Sequence, residues 1–130
     1  MRVTLLALLA SLTTTTAMAL TVECDGGTWV GTSTYFESEN TQPNPDRVTL
    51  PQYRYEIETG SSEAIRYTGK SAFKMQMLHS YRSYVVLSAV EGGVLYTDTV
   101  FDNGFVISQY TKYMMGFPVA STFQKQCSVS

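Results

Sequence analysis

Apolar and polar side chains alternate along this chain in short runs, separated by glycine, asparagine, proline and serine. Runs rich in Tyr, Thr, Val and Phe suit half-buried strands, because β-branched and aromatic side chains pack well on a pleated surface. The pattern predicts about eight strands, over 28–37, 48–58, 64–68, 72–78, 84–90, 94–101, 105–113 and 119–127. No window carries apolar residues at i, i+3, i+4 and i+7 for long enough to make a helix.

Most connections are short. Glu91-Gly92-Gly93, Asp102-Asn103-Gly104 and Gly69-Lys70-Ser71 each suit a tight hairpin. Asn103-Gly104 is the strongest of them, since Asn-Gly supplies the positive φ angles of a type I′ turn. The segment 38–47 holds Pro43 and Pro45, which remove ladder donors, and reads as an exposed loop. Short sequential hairpins and the hazard of open edges favour an all-β, single antiparallel up-and-down barrel, with a β-sandwich as the alternative.

A two-residue turn at Asn103-Gly104 would set Val100 against Ile107, Asp98 against Gln109 and Tyr96 against Thr111. A three-residue turn exchanges these partners, and either way both faces of the hairpin are mixed, so the buried face stays open. Mixed faces fit a polar-lined cavity with Tyr96, Asp98 and Tyr110 in its wall. They fit equally a small sheet in which tyrosine and threonine are half-buried on both sides.

The first residues carry a different pattern: Arg2, an apolar run from Val3 to Leu12, and Ala17-Met18-Ala19, a small-x-small cleavage site. They read as a secretory signal peptide over 1–19, leaving a single domain over 20–130 in the periplasm or outside the cell. The apolar run is too short to span a bilayer, and no later stretch approaches the ~20 residues required, so no membrane-spanning segment is expected. In an oxidising compartment the two cysteines, Cys24 and Cys127, most simply pair. That bridge requires their α-carbons to lie within about 7 Å and would join the two ends of the chain.

Charge narrows the partners. The formal net charge is −2, with basic and acidic side chains dispersed, so no patch exists to neutralise a row of phosphates and nucleic-acid binding is not expected. His79 is the only histidine and the cysteines are committed to the disulfide, which leaves no zinc ligand set. No Gly-x-Ser-x-Gly elbow, phosphate loop, dinucleotide fingerprint or EF-hand loop is present. Asp98, alone among Tyr96, Thr97, Thr99 and Val100, is expected to point to solvent. The chain is therefore expected to be no enzyme and to need no cofactor or metal.

One segment stands apart. Tyr113-Met114-Met115-Gly116-Phe117-Pro118 interrupts the strand pattern with large apolar residues, and an exposed loop there would offer Met114, Met115 and Phe117 to a protein or cell-envelope partner. The same residues could instead fold over one end of the barrel as a plug.

Val22-Glu23-Cys24-Asp25-Gly26-Gly27, Thr49-Leu50-Pro51, the stretch from Ser62 to Tyr67 and the closing cysteine are similar to periplasmic inhibitors of C-type lysozyme. Those are small exported antiparallel barrels with a disulfide joining the chain ends. In that family a Ser-Gly-containing loop leading to a tyrosine enters the enzyme's cleft; Ser61-Ser62-Glu63-Ala64-Ile65-Arg66-Tyr67 lacks the glycine, and the family's later inhibitory segment has no counterpart. The resemblance covers the first half of the chain and implies an inhibitor in which Ser62 and Tyr67 meet the enzyme. Together these readings describe a small exported barrel that acts by binding, with a lysozyme-inhibitor-like protein and a lipocalin-like carrier of small ligands as the alternatives.

Overall fold

The computed structural model describes residues 19–36, 43–58, 60–114 and 116–130. The expected signal peptide, apart from Ala19, lies outside the described residues, as does Met115.

The described residues form eleven strands: β1 (Ala19–Cys24), β2 (Gly27–Tyr35), β3 (Pro43–Leu50), β4 (Tyr53–Glu58), β5 (Glu63–Thr68), β6 (Ser71–Ser80), β7 (Tyr84–Glu91), β8 (Val94–Phe101), β9 (Phe105–Met114), β10 (Phe117–Gln126) and β11 (Ser128–Val129). All pairings are antiparallel, and the single sheet runs β11-β1-β4-β5-β6-β7-β8-β9-β10-β2-β3, curled into a half-barrel. From β4 to β10 each strand pairs with its neighbour in sequence, which is the meander that the short connections predict.

Eleven strands replace the expected eight for identifiable reasons. The run 48–58 is broken at Pro51-Gln52 into β3 and β4, and the residues around Cys24 and after Cys127 add β1 and β11. The segment expected as a loop up to Arg47 already pairs from Pro43 onward, with Pro43 opposite Thr34 and Pro45 opposite Thr32. Proline is tolerated there because β3 is an edge strand, where a missing N–H need not break a ladder.

The four strands β1 to β4 make one long hairpin. Pairing proceeds in step from Ala19↔Glu58 to Cys24↔Tyr53, and resumes in the same register from Gly27↔Leu50 to Thr34↔Pro43. The hairpin bends at Asp25-Gly26 and Pro51-Gln52, so its β1–β4 half borders β5 while its β2–β3 half borders β10. Cys24 and Cys127 are bonded at this bend, with α-carbons 4.6 Å apart, and the bond is compatible with an oxidising compartment.

The β8–β9 turn departs from the expected type I′ form. Three residues connect the strands, the Gly104 amide donates to the Phe101 carbonyl at 3.0 Å, and Gly104 takes φ +86°. This is the geometry of a three-residue hairpin with glycine in the left-handed position. A tether explains it: the Cys127 amide donates to the Gly104 carbonyl at 2.8 Å, and a Cβ on Gly104 would run into the Cys127 carbonyl. The resulting register sets Asp98 opposite Ser108 and Tyr96 opposite Tyr110.

The core fills the curl with Val22, Trp29, Tyr55, Ile57, Met75, Leu87, Val100, Val106 and Phe123, all buried. Among the described residues no helix is long and apolar enough to cross a membrane.

Candidate functional site

Strand alternation turns every second side chain inward, so β4 contributes Tyr53 and Tyr55, β5 Arg66, β8 Tyr96 and Asp98, and β9 Ser108 and Tyr110. Four of these meet at one carboxylate. Tyr55 Oη donates to Asp98 Oδ2 at 2.7 Å, Arg66 Nη1 donates to the same oxygen at 2.9 Å, and Ser108 Oγ donates to Oδ1 at 2.7 Å. Asp98 is 0% exposed. Its expected solvent-facing placement is thus reversed: alternation along β8 puts Asp98 on the same face as Val100, two residues on, and that face is the one turned to the core.

Arg66 is 4% exposed and forms a buried ion pair with Asp98. Aromatic rings surround the guanidinium: its carbon lies 4.2 Å from the Phe73 centroid, 4.7 Å from Tyr53 and 5.1 Å from Tyr96. Such rings stabilise a desolvated cation through their negative faces. Burial acts to lower the Arg66 pKa, but the Asp98 carboxylate and the neighbouring phenols Tyr55 and Tyr53 outweigh it, and the net direction is upward. Burial pushes the Tyr55 phenol well above its usual range, with Asp98 adding to the shift. Burial likewise raises Tyr53 and Tyr110. The cluster is thus a charged pair held among neutral phenols.

Above this pair lies a cavity of about 210 Å³. Tyr53, Arg66 and Ser108 line it near the ion pair, Tyr96, Tyr110 and Phe123 form aromatic walls, and Leu50, Val94 and Lys112 complete the lining. The Tyr110 and Phe123 rings stack with centroids 5.8 Å apart, and Tyr96 stands 6.2 Å from Tyr110. Lys112 Nζ lies 5.2 Å from the Tyr110 centroid. One polar atom at this place has no partner: Arg66 Nε is buried without an acceptor. Buried donors are nearly always satisfied, so this one needs a physical explanation.

Two of the sequence-nominated cavity residues, Tyr96 and Tyr110, line this cavity, and Asp98 lies behind it on Arg66 and Ser108. The sequence reading missed Arg66, Tyr53, Ser108, Lys112 and Phe123. Arg66 carried a usable signal, being a charged residue two positions from Ala64 on the inward face of a short strand.

Met114 and Phe117, weighed in the sequence as an exposed loop or a plug over the barrel end, are strand residues. Met114 ends β9 and Phe117 begins β10, the two pair directly, both are half-buried, and the Phe117 ring packs edge-on against Tyr35. The two large apolar residues face each other as cross-strand partners, which extends the strands where the composition suggested an interruption. His79 also lies in a strand, at the end of β6, exposed and with its ring 3.8 Å from that of Tyr81. Ser62 is exposed, while Tyr67 sits on the outer face, donating to Glu56 Oε2 at 3.2 Å beneath the Arg54 guanidinium.

A larger and more open groove of about 540 Å³ lies along β6 and β7, lined by Glu63, Lys74, Gln76 and Ser88 together with Phe73, Met75 and Ala89. Its ion pair, Lys74 to Glu63 at 3.8 Å, is exposed on both sides, so the groove holds no organised polar chemistry to rival the interior cavity. Among the described residues no group of three or more His, Cys, Asp or Glu side chains is placed to hold a metal ion.

No protein-family model matches the chain, and no curated protein matches it either.

Proposed function

We propose that the protein is an exported, non-enzymatic binding protein that holds a small ligand in the cavity above the Arg66–Asp98 pair. In this reading the two ends of the sheet, which are halves of one bent hairpin, close the meander around that cavity as an up-and-down barrel. The observation that carries the proposal is Arg66 itself, a buried cation lining the cavity with one donor unspent. Asp98 accepts from Tyr55, Arg66 and Ser108, is fully buried and does not line the cavity, so it is not placed to act as a general base toward a bound molecule. Binding is therefore favoured over turnover. The volume limits the ligand, since about 210 Å³ equals roughly seven water volumes at ~30 Å³ each.

Ligand-detected NMR with a collection of small fragments tests this. Val94→Trp places a large ring at the cavity lining and should block it. Fragments that bind the wild type and are lost in the Val94→Trp protein support the proposal. No binding fragments, or fragments held equally by both proteins, overturn it.

A further inference from the structure

We infer that the cavity selects a small planar carboxylate, whose anionic group sits on Arg66 with Lys112 beside it. The inference rests on the cavity reading above and adds the chemical class of the ligand.

The donor pattern comes first. Arg66 presents a rigid fork of N–H donors, and Nη1 is spent on Asp98 while Nε has no acceptor. A carboxylate takes charge-assisted hydrogen bonds from a guanidinium, and Arg66 is a lining residue of the cavity, although its Nε is itself closed off from solvent. A neutral carbonyl would satisfy the same donor with a weaker bond.

Charge points the same way. The cavity lining includes two cations, Arg66 and Lys112, and no carboxylate. Asp98 compensates Arg66 from behind, and among the described residues Lys112 has no ion-pair partner. Asp46 is near enough to raise the Tyr110 phenol, but it is not a lining residue, and its carboxylate is held by the Ser33 hydroxyl and the Arg47 amide, neutral donors that leave its charge in place. A monoanion adds a single negative charge beside the lining cations, whereas a dianionic phosphate would add two with the Asp98 and Asp46 carboxylates already near.

Shape supplies the rest. Rings from Tyr53, Tyr96, Tyr110 and Phe123 line the cavity, and aromatic walls favour a flat body that stacks against them. Benzoate combines that body with a single charge near neutral pH and suits the volume.

Calorimetric titration of benzoate, benzamide and inorganic phosphate into the folded, oxidised protein tests the inference. Benzamide keeps the ring and removes the charge. Expected results are benzoate binding at least about tenfold tighter than benzamide, equivalent to ~1.4 kcal/mol, and a loss of about that size for benzoate in Lys112→Gln with benzamide unaffected. An unchanged melting temperature of Lys112→Gln shows that its fold is intact. Benzamide binding as tightly as benzoate overturns the carboxylate class and leaves the cavity reading standing. Phosphate binding as tightly as benzoate overturns it as well. Absence of binding by both aromatic compounds overturns it too, and the cavity reading is then decided by the fragment comparison with Val94→Trp.

Discussion

Arg66 and Asp98, thirty-two residues apart in sequence, meet at 2.9 Å inside the curled sheet, where their side chains are 5% and 0% exposed. Burying two charges is costly even when they attract, and such pairs often stabilise a fold less than apolar residues of the same size would. The pair is therefore better explained by what it presents to the cavity than by what it adds to the core.

Breaking the pair from one side should be severe. Asp98→Asn or Arg66→Met strands one buried charge and should cost about 3–5 kcal/mol of unfolding free energy. The double substitution Arg66→Met with Asp98→Asn should cost clearly less than the two single losses combined. Urea unfolding of the three variants measures this coupling, and strictly additive losses would show that the two side chains act independently.

The Cys24–Cys127 bond closes a separation of 103 residues. Loop-closure entropy for a ring of that size predicts that Cys24→Ser with Cys127→Ser lowers stability by about 4–5 kcal/mol. Guanidinium denaturation of the variant against the oxidised wild type reads this loss directly. The same bond makes the protein sensitive to dithiothreitol, with the melting temperature falling on reduction.

Gly104 and Gly92 separate two causes of glycine dependence. Both have positive φ, +86° and +57°, but only Gly104 is packed against the Cys127 backbone, while nothing lies within 4 Å of a Cβ at Gly92. Gly92→Ala should cost about 1 kcal/mol for the backbone conformation alone. Gly104→Ala should cost at least ~2 kcal/mol, since either the turn or the disulfide-bearing segment must move. Thermal melts of the two variants test the difference, and equal losses would contradict the tether between turn and disulfide.

Alkaline titration should show two populations of phenols. Tyr53, Tyr55 and Tyr110 have pKa values raised above 10.0, chiefly by burial. A phenol whose folded value exceeds its unfolded value favours the folded state only in its protonated form. That contribution is intact below pH 10 and is lost as the pH climbs through the folded value. Absorbance at the phenolate band should therefore show Tyr53, Tyr55 and Tyr110 ionising only above pH 10, with stability declining once the pH passes 10. Simultaneous titration of all the tyrosines in the native protein would contradict the burial of this cluster.

Much of the architecture was legible because it depends on local signals. Alternating Tyr, Thr and Val runs marked the strands from β5 to β10, and Gly92-Gly93 marked the turn that pairs Glu91 with Val94. The site was harder to read because it depends on register. Moving the β8–β9 pairing by one residue decides whether Asp98 faces Ser108 or Gln109, and that choice was set by the contact between Gly104 and Cys127, which no local pattern records. Arg66 was hidden for a related reason: an inward arginine is credible only once its carboxylate partner, three strands away in the sheet, is known to be buried. The Met114 and Phe117 pairing misled in the opposite direction, since apolar residues flanking a glycine suit a tight hairpin as well as an exposed loop.

The most direct measurement is an amide NMR titration of the isotope-labelled protein with benzoate, mapped residue by residue. A ligand seated above the ion pair should shift Arg66, Tyr96, Ser108 and Tyr110 together in one saturable process, with Glu63, Lys74 and Gln76 in the groove along β6 and β7 unmoved. Shifts confined to that groove, or no shifts around Arg66 at saturating ligand, would contradict the assignment of the interior cavity as the binding site.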